Sequence, residues 1–176
     1  MPRIHVCSLQ RLHATANATG AGDVVTLIKN IGQVTTPALV ARERHLALDF
    51  ADITAPREGE TLADDSHVEQ LIGFVGRWER VQPLIIHCYA GVSRSTAGAF
   101  ISACQLRPDR TEADWAMAIR QASPTATPNL HLVALADRLL RRDGRMIAAI
   151  EAIGRGADCF EGVPFALDIG PKPPTR

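Results

Sequence analysis

The sequence predicts an α/β domain in which helices flank a small, mostly parallel central sheet. Three observations support this class. Short apolar or alternating segments dominate the first half of the chain, segments of helical period dominate the second half, and 176 residues suit one hydrophobic core. We expect a single domain over residues 1–169 and a disordered tail over residues 170–176, which are rich in proline.

Four strands are predicted, near residues 3–8, 23–28, 44–49 and 84–88. The last three are apolar or alternating runs, and residues typical of turns lie on either side of each run. The first contains Cys7, which we expect to be a buried strand residue rather than a reactive thiol. The strands precede most of the helices, so the sheet is expected to form the centre of the domain.

Helices are predicted where apolar residues recur at helical spacing. They cover residues 62–80, 96–103, a segment that begins at 111, 129–142 and 145–153. Ser66 and Glu69 resemble a capping box near the start of the first of these helices. Cys104, near the end of the second helix, is expected to fill the core. The first 30 residues carry no motif that we assign.

Residues 87–95, with the sequence HCYAGVSRS, lie between a buried apolar run and an alanine-rich stretch. This order predicts a strand, a tight loop and the start of a helix. The backbone N–H groups of such a loop converge at the positive end of the helix dipole, where proteins bind phosphate. The candidate phosphate-binding residues are Tyr89, Ala90, Gly91, Val92, Ser93 and Arg94.

Five residues of this segment suit phosphoryl chemistry in distinct ways. Cys88 is the candidate nucleophile, because the N-terminus of a helix stabilises a thiolate. Arg94 offers a planar set of donors that matches two phosphoryl oxygens, and Gly91 permits a positive φ or a close backbone approach. Ser95 can hydrogen-bond to the cysteine sulfur. His87 can orient the turn by bonding to backbone carbonyls.

These residues resemble the H-C-x5-R-[S/T] signature of the cysteine-dependent protein tyrosine phosphatase superfamily, and A-G-x-S-R-S resembles its dual-specificity branch. The resemblance implies a phosphatase-like fold with the phosphate loop between a strand and a helix. It implies a metal-independent phosphomonoester hydrolase that needs no cofactor and acts through a phosphocysteine. The substrates it implies are phosphotyrosine or dual-specificity protein substrates, or a small phosphoester.

The resemblance also implies a general acid, an aspartate on a loop roughly 30–40 residues before the cysteine. Asp52 lies 36 residues before Cys88, and Asp49 lies 39 residues before it. Asp52 is preferred because its F-x-D-x-x-x-P context resembles the acid loop of the family, whereas Asp49 still lies within an alternating strand. The alternative role for Asp52 is a turn former that ends the strand.

Residues 120–129 resemble the R-x-x-x-P-x-x-x-P-N stretch of dual-specificity phosphatases. The resemblance implies that Asn129 helps to brace the phosphate loop. The alternative is a proline-rich connector in which Asn129 is the N-cap of the following helix. The two interpretations are compatible, and both remain open at this point.

The composition of the chain limits the classes of partner that we expect. The chain has 19 basic and 19 acidic residues, whereas nucleic-acid and membrane-surface proteins usually show a basic excess. We therefore expect neither as a partner, and the oligomeric state stays open. The four cysteines form no C-x-x-C pair, the six histidines show no metal-ligand spacing, and no segment resembles a signal peptide or a membrane span. These features favour a reducing cytoplasm and a site without metal.

Three other functions remain open on the sequence. One is a rhodanese-type or arsenate-type cysteine enzyme, against which Gly91 and the Ser-Arg-Ser run argue. Another is a phosphate-binding module without turnover, and the last is a purely structural domain. Since the loop positions between Cys88 and Arg94 carry no charge, a highly anionic lipid headgroup is disfavoured as a substrate.

Overall fold

The computed structural model describes residues 2–172. Within them a five-stranded sheet has the order β3-β2-β4-β1-β5. Its strands are β1 (Arg3–Ser8), β2 (Asp23–Ile28), β3 (His45–Asp49), β4 (Leu84–Cys88) and β5 (Phe165–Asp168). The first four strands are parallel, and β5 pairs antiparallel with β1 at the edge. The α/β class and the four predicted strands are confirmed.

Helices cover both faces of the sheet. They are α1 (Leu12–Thr19), α2 (Asp65–Arg77), α3 (Arg94–Leu106), α4 (Glu112–Ala122), α5 (Leu130–Leu139) and α6 (Arg145–Ile153), with short 3-10 turns at Ile31–Gln33 and Arg42–Arg44. A small apolar cluster joins α1 to one face, and the main core lies between the other face and α2–α6. Alternate residues of β1, β2 and β4 contribute to these two cores.

The central strand β4 positions the loop that follows it. Leu84, Ile85 and Ile86 are fully buried because β4 lies between β1 and β2 and is covered on both faces. Helix α3 packs closely against this strand at Gly98, where a Cβ atom would lie 3.0 Å from Ile86 Cγ2. Cys88 therefore ends a rigid strand at the carboxyl edge of the sheet.

Two elements were absent from the sequence-based prediction, and one cap was placed wrongly. Helix α1 begins without a side-chain cap and is only weakly amphipathic, and β5 is a four-residue edge strand. The capping box of α2 is formed by Asp64 and His67, not by Ser66 and Glu69. Asp64 precedes the helix and accepts from His67 N, whereas Ser66 already lies inside the first turn.

The described end of the chain is hydrogen-bonded to the domain. Gly170 N donates to Asp168 Oδ1 at 3.0 Å, and Arg80 Nη1 donates to Pro171 O at 3.2 Å. Residues 173–176 of the predicted tail lie outside the described residues, and the domain boundary at residue 169 stays a prediction. Within the described residues, no helix has the length and apolar character needed to span a bilayer.

Candidate active site

The Cys88 sulfur lies at the base of the loop between β4 and α3. The residue is 2% exposed. Gly91 N donates to Sγ at 3.3 Å, and Ser95 Oγ lies 3.1 Å from Sγ. Gly91 has a φ of +73°, and a Cβ atom there would lie 2.8 Å from the carbonyl carbon of Cys7. The turn therefore requires glycine, both for its backbone conformation and for its close approach to β1.

The loop carbonyls point outward. Each of four accepts a backbone hydrogen bond from a surrounding segment: Tyr89 O from Leu9, Ala90 O from Gly162, Val92 O from Thr127 and Ser93 O from Asn129. The C=O and the following N–H of a trans peptide point in opposite directions, so the amides after these carbonyls face inward. The loop thus presents a cluster of N–H groups to an anion.

Arg94 joins the loop to the segment after β3. Its side chain is almost fully buried, and Nη1 donates to Phe50 O at 2.8 Å. Its Nε is buried without a hydrogen-bond partner among the described residues. A buried guanidinium N–H without a partner is unfavourable unless a ligand supplies the acceptor, and a phosphoryl oxygen fits that requirement.

The two candidate acids occupy different places. Asp52 Oδ1 accepts from Ser93 Oγ at 2.7 Å and from Asn129 Nδ2 at 2.8 Å, so its carboxylate lies beside the phosphate loop. Asp49 instead accepts from the backbone N–H groups of residues 30 and 31 at 3.0 and 3.3 Å. The structure therefore brings Asp52 to the loop and gives Asp49 a turn-forming role.

Asn129 uses different atoms for the two functions that the sequence left open. Its Oδ1 accepts from Leu132 N at 3.1 Å, which makes it the N-cap of α5. Its Nδ2 donates to Asp52 Oδ1 and, at 3.2 Å, to Ile53 O. Its backbone N donates to Ser93 O at 3.2 Å. One residue thus links α5, the acid loop and the phosphate loop.

His87 has a partner that the sequence did not suggest. We expected it to bond to backbone carbonyls, but its Nε2 lies 2.6 Å from Thr26 Oγ1, and its Nδ1 has no partner among the described residues. Burial lowers the pKa of His87 to about 4. The ring is therefore neutral at neutral pH. Thr26 carries no sequence signal, since it lies 61 residues away from His87 in a mostly apolar strand.

The segment between α6 and β5 closes one side of the loop, and it was missed at the sequence level. Gly162 packs against the loop so tightly that a Cβ atom would lie 2.8 Å from Gly91 O. Glu161 Oε1 accepts from Ser8 Oγ at 2.6 Å. Beside Tyr89, a cavity of about 400 Å³ lies between this segment and the loop after β1, and Phe160 lines it. No periodicity marks the segment in the sequence, and its contacts are with residues far away along the chain, Ser8 and Ala90.

The other three cysteines lie outside the loop. Cys7 and Cys104 are buried as predicted, and burial raises the pKa of each to about 12. Cys159 is exposed. Neither of the two buried thiols is suited to attack at neutral pH, because the thiolate is the nucleophile. Within residues 2–172, no cluster of three or more His, Cys, Asp or Glu side chains is arranged to hold a metal ion.

Solved structures share this fold. DUSP15 aligns with a TM-score of 0.64 and 13% identity over 87% of this chain and 91% of its own. Human DUSP28 aligns with a TM-score of 0.59 and 16% identity over 85% of this chain and 94% of its own. The PTP-2 phosphatase of Cydia pomonella aligns with a TM-score of 0.60 and 18% identity over 77% of this chain and 84% of its own. No protein-family model and no curated protein matches the sequence. The chain has the fold of the dual-specificity phosphatases, as the resemblance implied.

Proposed function

We propose that this chain is a metal-independent phosphomonoester hydrolase that acts through a phosphocysteine at Cys88. The observation that carries the proposal is the environment of the sulfur. Sγ lies within hydrogen-bond distance of Gly91 N and Ser95 Oγ, at the base of a loop whose amides face inward. Such a site stabilises a thiolate and holds the three equatorial oxygens of a phosphoryl group.

In the first step, the Cys88 thiolate attacks phosphorus in line with the leaving oxygen. Arg94 Nε and the inward amides hold the equatorial oxygens, where the transition state concentrates negative charge. Asp52 gives a proton to the leaving oxygen as the P–O bond breaks. Both described hydrogen bonds to Asp52 fall on Oδ1, so Oδ2 is the atom that carries the proton.

In the second step, water attacks the phosphorus of the phosphocysteine, and the P–S bond breaks. Asp52, now a carboxylate, takes the proton from the water. Ser95 Oγ lies 3.1 Å from the sulfur and donates to it as the thiolate leaves. The step releases inorganic phosphate and restores the free thiolate. A reducing compartment such as the cytoplasm would keep this thiol active.

Phosphotyrosine or dual-specificity protein substrates fit the surroundings best. Tyr89 is 65% exposed and Phe160 is fully exposed, and both line the cavity beside the loop. These aromatic side chains suit an apolar residue next to the phosphorylated one in a protein substrate. The loop itself has no lysine or arginine other than Arg94, so nothing there favours a headgroup with several phosphates.

A phosphatase panel tests the proposal. Wild type, Cys88→Ser and Asp52→Ala are assayed in EDTA against an aryl phosphate, phosphotyrosine and phosphoserine peptides, and inositol phosphates. We expect the wild type to hydrolyse aryl phosphate and phosphotyrosine, and Cys88→Ser to be inactive. Full activity in Cys88→Ser would refute the proposal. Wild-type binding of phosphopeptide without phosphate release would instead support a binding module.

A further inference from the structure

The peptide group between Ala90 and Gly91 is hydrogen-bonded on both sides. Its N–H, on Gly91, donates to Cys88 Sγ at 3.3 Å. Its carbonyl oxygen, on Ala90, accepts from the backbone N–H of Gly162 at 2.9 Å. The C=O and the N–H of a trans peptide lie in one plane and point in opposite directions. The bond from Gly162 therefore fixes the direction in which the Gly91 N–H points.

The contact with Gly162 differs from the contacts at the other loop carbonyls. Leu9, Thr127 and Asn129 donate to the carbonyls of residues 89, 92 and 93. Within residues 2–172, the amides that follow those three carbonyls make no hydrogen bond to the sulfur, whereas the amide of Gly91 does. Gly162 thus orients the loop amide that already contacts the sulfur.

Gly162 approaches the loop too closely for any side chain. A Cβ atom there would lie 2.8 Å from Gly91 O and 3.3 Å from Val92 Cγ2. The φ of Gly162 lies outside the positive range that favours glycine. The close approach to the loop is therefore what excludes a side chain at this position.

Glu161 ties this contact to the end of strand β1. Its Oε1 accepts from Oγ of the buried Ser8 at 2.6 Å. Ser8 is the register partner of Cys88 in the parallel pair of β1 and β4. Arg11 Nε lies 3.4 Å from the same Oε1, but Arg11 is exposed, so this ion pair contributes little. The bond to Ser8 therefore holds residues 161 and 162 against the sheet edge that carries the sulfur.

The segment that contains Glu161 and Gly162 is also fixed on either side of them. Ala157 N donates to Pro124 O at 3.0 Å. At the other end of the segment, Phe165 pairs with Val6 of β1. The segment is therefore held in place independently of its contact with the phosphate loop, and it can restrain the loop.

We propose that Gly162 and Glu161 are positioning residues, which hold the Ala90–Gly91 peptide with its N–H directed at the Cys88 sulfur. We call these two residues the brace. The phosphatase signature contains neither of them, and the inference rests on the proposed function of the loop. An N–H that donates to the sulfur stabilises the thiolate before attack and again when it leaves the phosphorus. Without the brace, the peptide plane can turn and the amide loses the sulfur.

Loss of the brace should impair the chemical step more than substrate binding. The Gly91 N–H contacts a reacting atom, and Arg94 and the other inward amides remain to bind the phosphoryl oxygens. Interactions that are stronger in the transition state than in the ground state raise kcat rather than lower KM. A general collapse of the loop would instead raise KM as well.

Two variants break the brace at different points. Gly162→Ala places a Cβ atom against Gly91 O, and Glu161→Ala removes the acceptor of Ser8 Oγ. Asp158→Asn is the matched control, since Asp158 lies in the same segment, is exposed, and bonds to Arg155 alone within the described part of the chain. Ser8→Ala, alone and combined with Glu161→Ala, completes a double-mutant cycle.

The measurements are the ¹H and ¹⁵N shifts of the Gly91 amide, and kcat and KM for p-nitrophenyl phosphate. Cys88→Ala supplies the shift of this amide without its sulfur acceptor. We expect the Gly91 resonance to move toward that position in Gly162→Ala and in Glu161→Ala. In Asp158→Asn, the resonance and the kinetics should match those of the wild type.

We expect kcat to fall about tenfold in Gly162→Ala, because a donor to the reacting centre is displaced. In Glu161→Ala it should fall about threefold, as expected for the loss of one restraining hydrogen bond. KM should change less than about twofold in both variants. Ser8→Ala should act as Glu161→Ala does, and the double variant should lose no more than either, because both remove the same bond.

A Gly91 resonance that keeps its wild-type position in Gly162→Ala and Glu161→Ala would overturn the proposal, whether or not kcat falls. Additive effects of Ser8→Ala and Glu161→Ala would also overturn it. If Gly162→Ala does not fold, Glu161→Ala and its cycle decide. Failure of the proposed function is a separate result: if the wild type hydrolysed no phosphoester, the Gly91 resonance would still decide whether the brace orients the amide.

Discussion

The two sides of the phosphate loop are built differently. On the sheet side, His87 and Cys88 end a fully buried central strand. On the acid side, Asp52 is exposed, and side-chain hydrogen bonds from Ser93 and Asn129 tie it to the loop. The core therefore fixes the proposed nucleophile, whereas a few polar contacts that can open hold the proposed acid. Substitutions on the sheet side should slow the hydrolysis of every substrate. The effect of substitutions on the acid side should depend on the leaving group.

Arg94→Lys tests the contact between the two sides and should have the largest effect. Lysine cannot both donate to Phe50 O and reach the phosphoryl oxygens, so transition-state stabilisation is lost for all substrates. We expect kcat/KM to fall about a thousandfold, and about equally for aryl phosphates with good and poor leaving groups. A loss below tenfold, or one confined to poor leaving groups, would contradict this assignment.

Asp52→Asn tests the acid side. We expect a loss of about a hundredfold with phenyl phosphate and a much smaller loss with p-nitrophenyl phosphate, whose leaving group needs little protonation. Asp49→Asn is the matched control, since Asp49 bonds only to the backbone of a turn. A larger loss in Asp49→Asn would transfer the acid role to Asp49.

Two substitutions of Asn129 separate its two functions. Asn129→Ser keeps an N-cap oxygen and loses the donor to Asp52, whereas Asn129→Ala loses both. We expect kcat to fall about tenfold in both variants, because both free the acid loop. Only Asn129→Ala should lose about 1 kcal/mol of unfolding free energy, measured by urea denaturation. Equal unfolding free energies for the two variants would show that the N-cap does not stabilise the fold. A kcat equal to that of wild type in both variants would show that the hydrogen bond to Asp52 does not contribute to turnover.

Phe160→Ala should have the smallest effect, because Phe160 lies outside both sides of the loop. We expect KM to rise about fivefold for a phosphotyrosine peptide with apolar neighbours, since about 1 kcal/mol of burial is lost. The kinetics with p-nitrophenyl phosphate should not change. Val81→Ala, another exposed apolar position remote from the cavity, is the control. If the KM for the phosphotyrosine peptide is the same in Phe160→Ala and wild type, the cavity is not part of the substrate site.

The same contrast explains how much the sequence could predict. Residues 87–95 are contiguous, so their order alone predicted the strand, the loop and the helix that the structure shows. Asp52 could be nominated from its spacing and its proline, and the structure places it beside the loop. Thr26 and Gly162 come near the loop only through tertiary packing, Thr26 across 61 residues to His87 and Gly162 through its N–H to Ala90 O, and no local pattern marks either residue. Helix α1 was missed because its contacts, not its propensity, stabilise it.

The covalent intermediate is the most direct test of the central claim. The protein is mixed with a ³²P-labelled aryl phosphate, quenched in acid within milliseconds, and mapped by peptide mass spectrometry. We predict a burst of about one leaving group per chain and a phosphoryl group on the peptide that contains Cys88, absent in Cys88→Ser. Turnover without a covalent label, or a label on another residue, would contradict it.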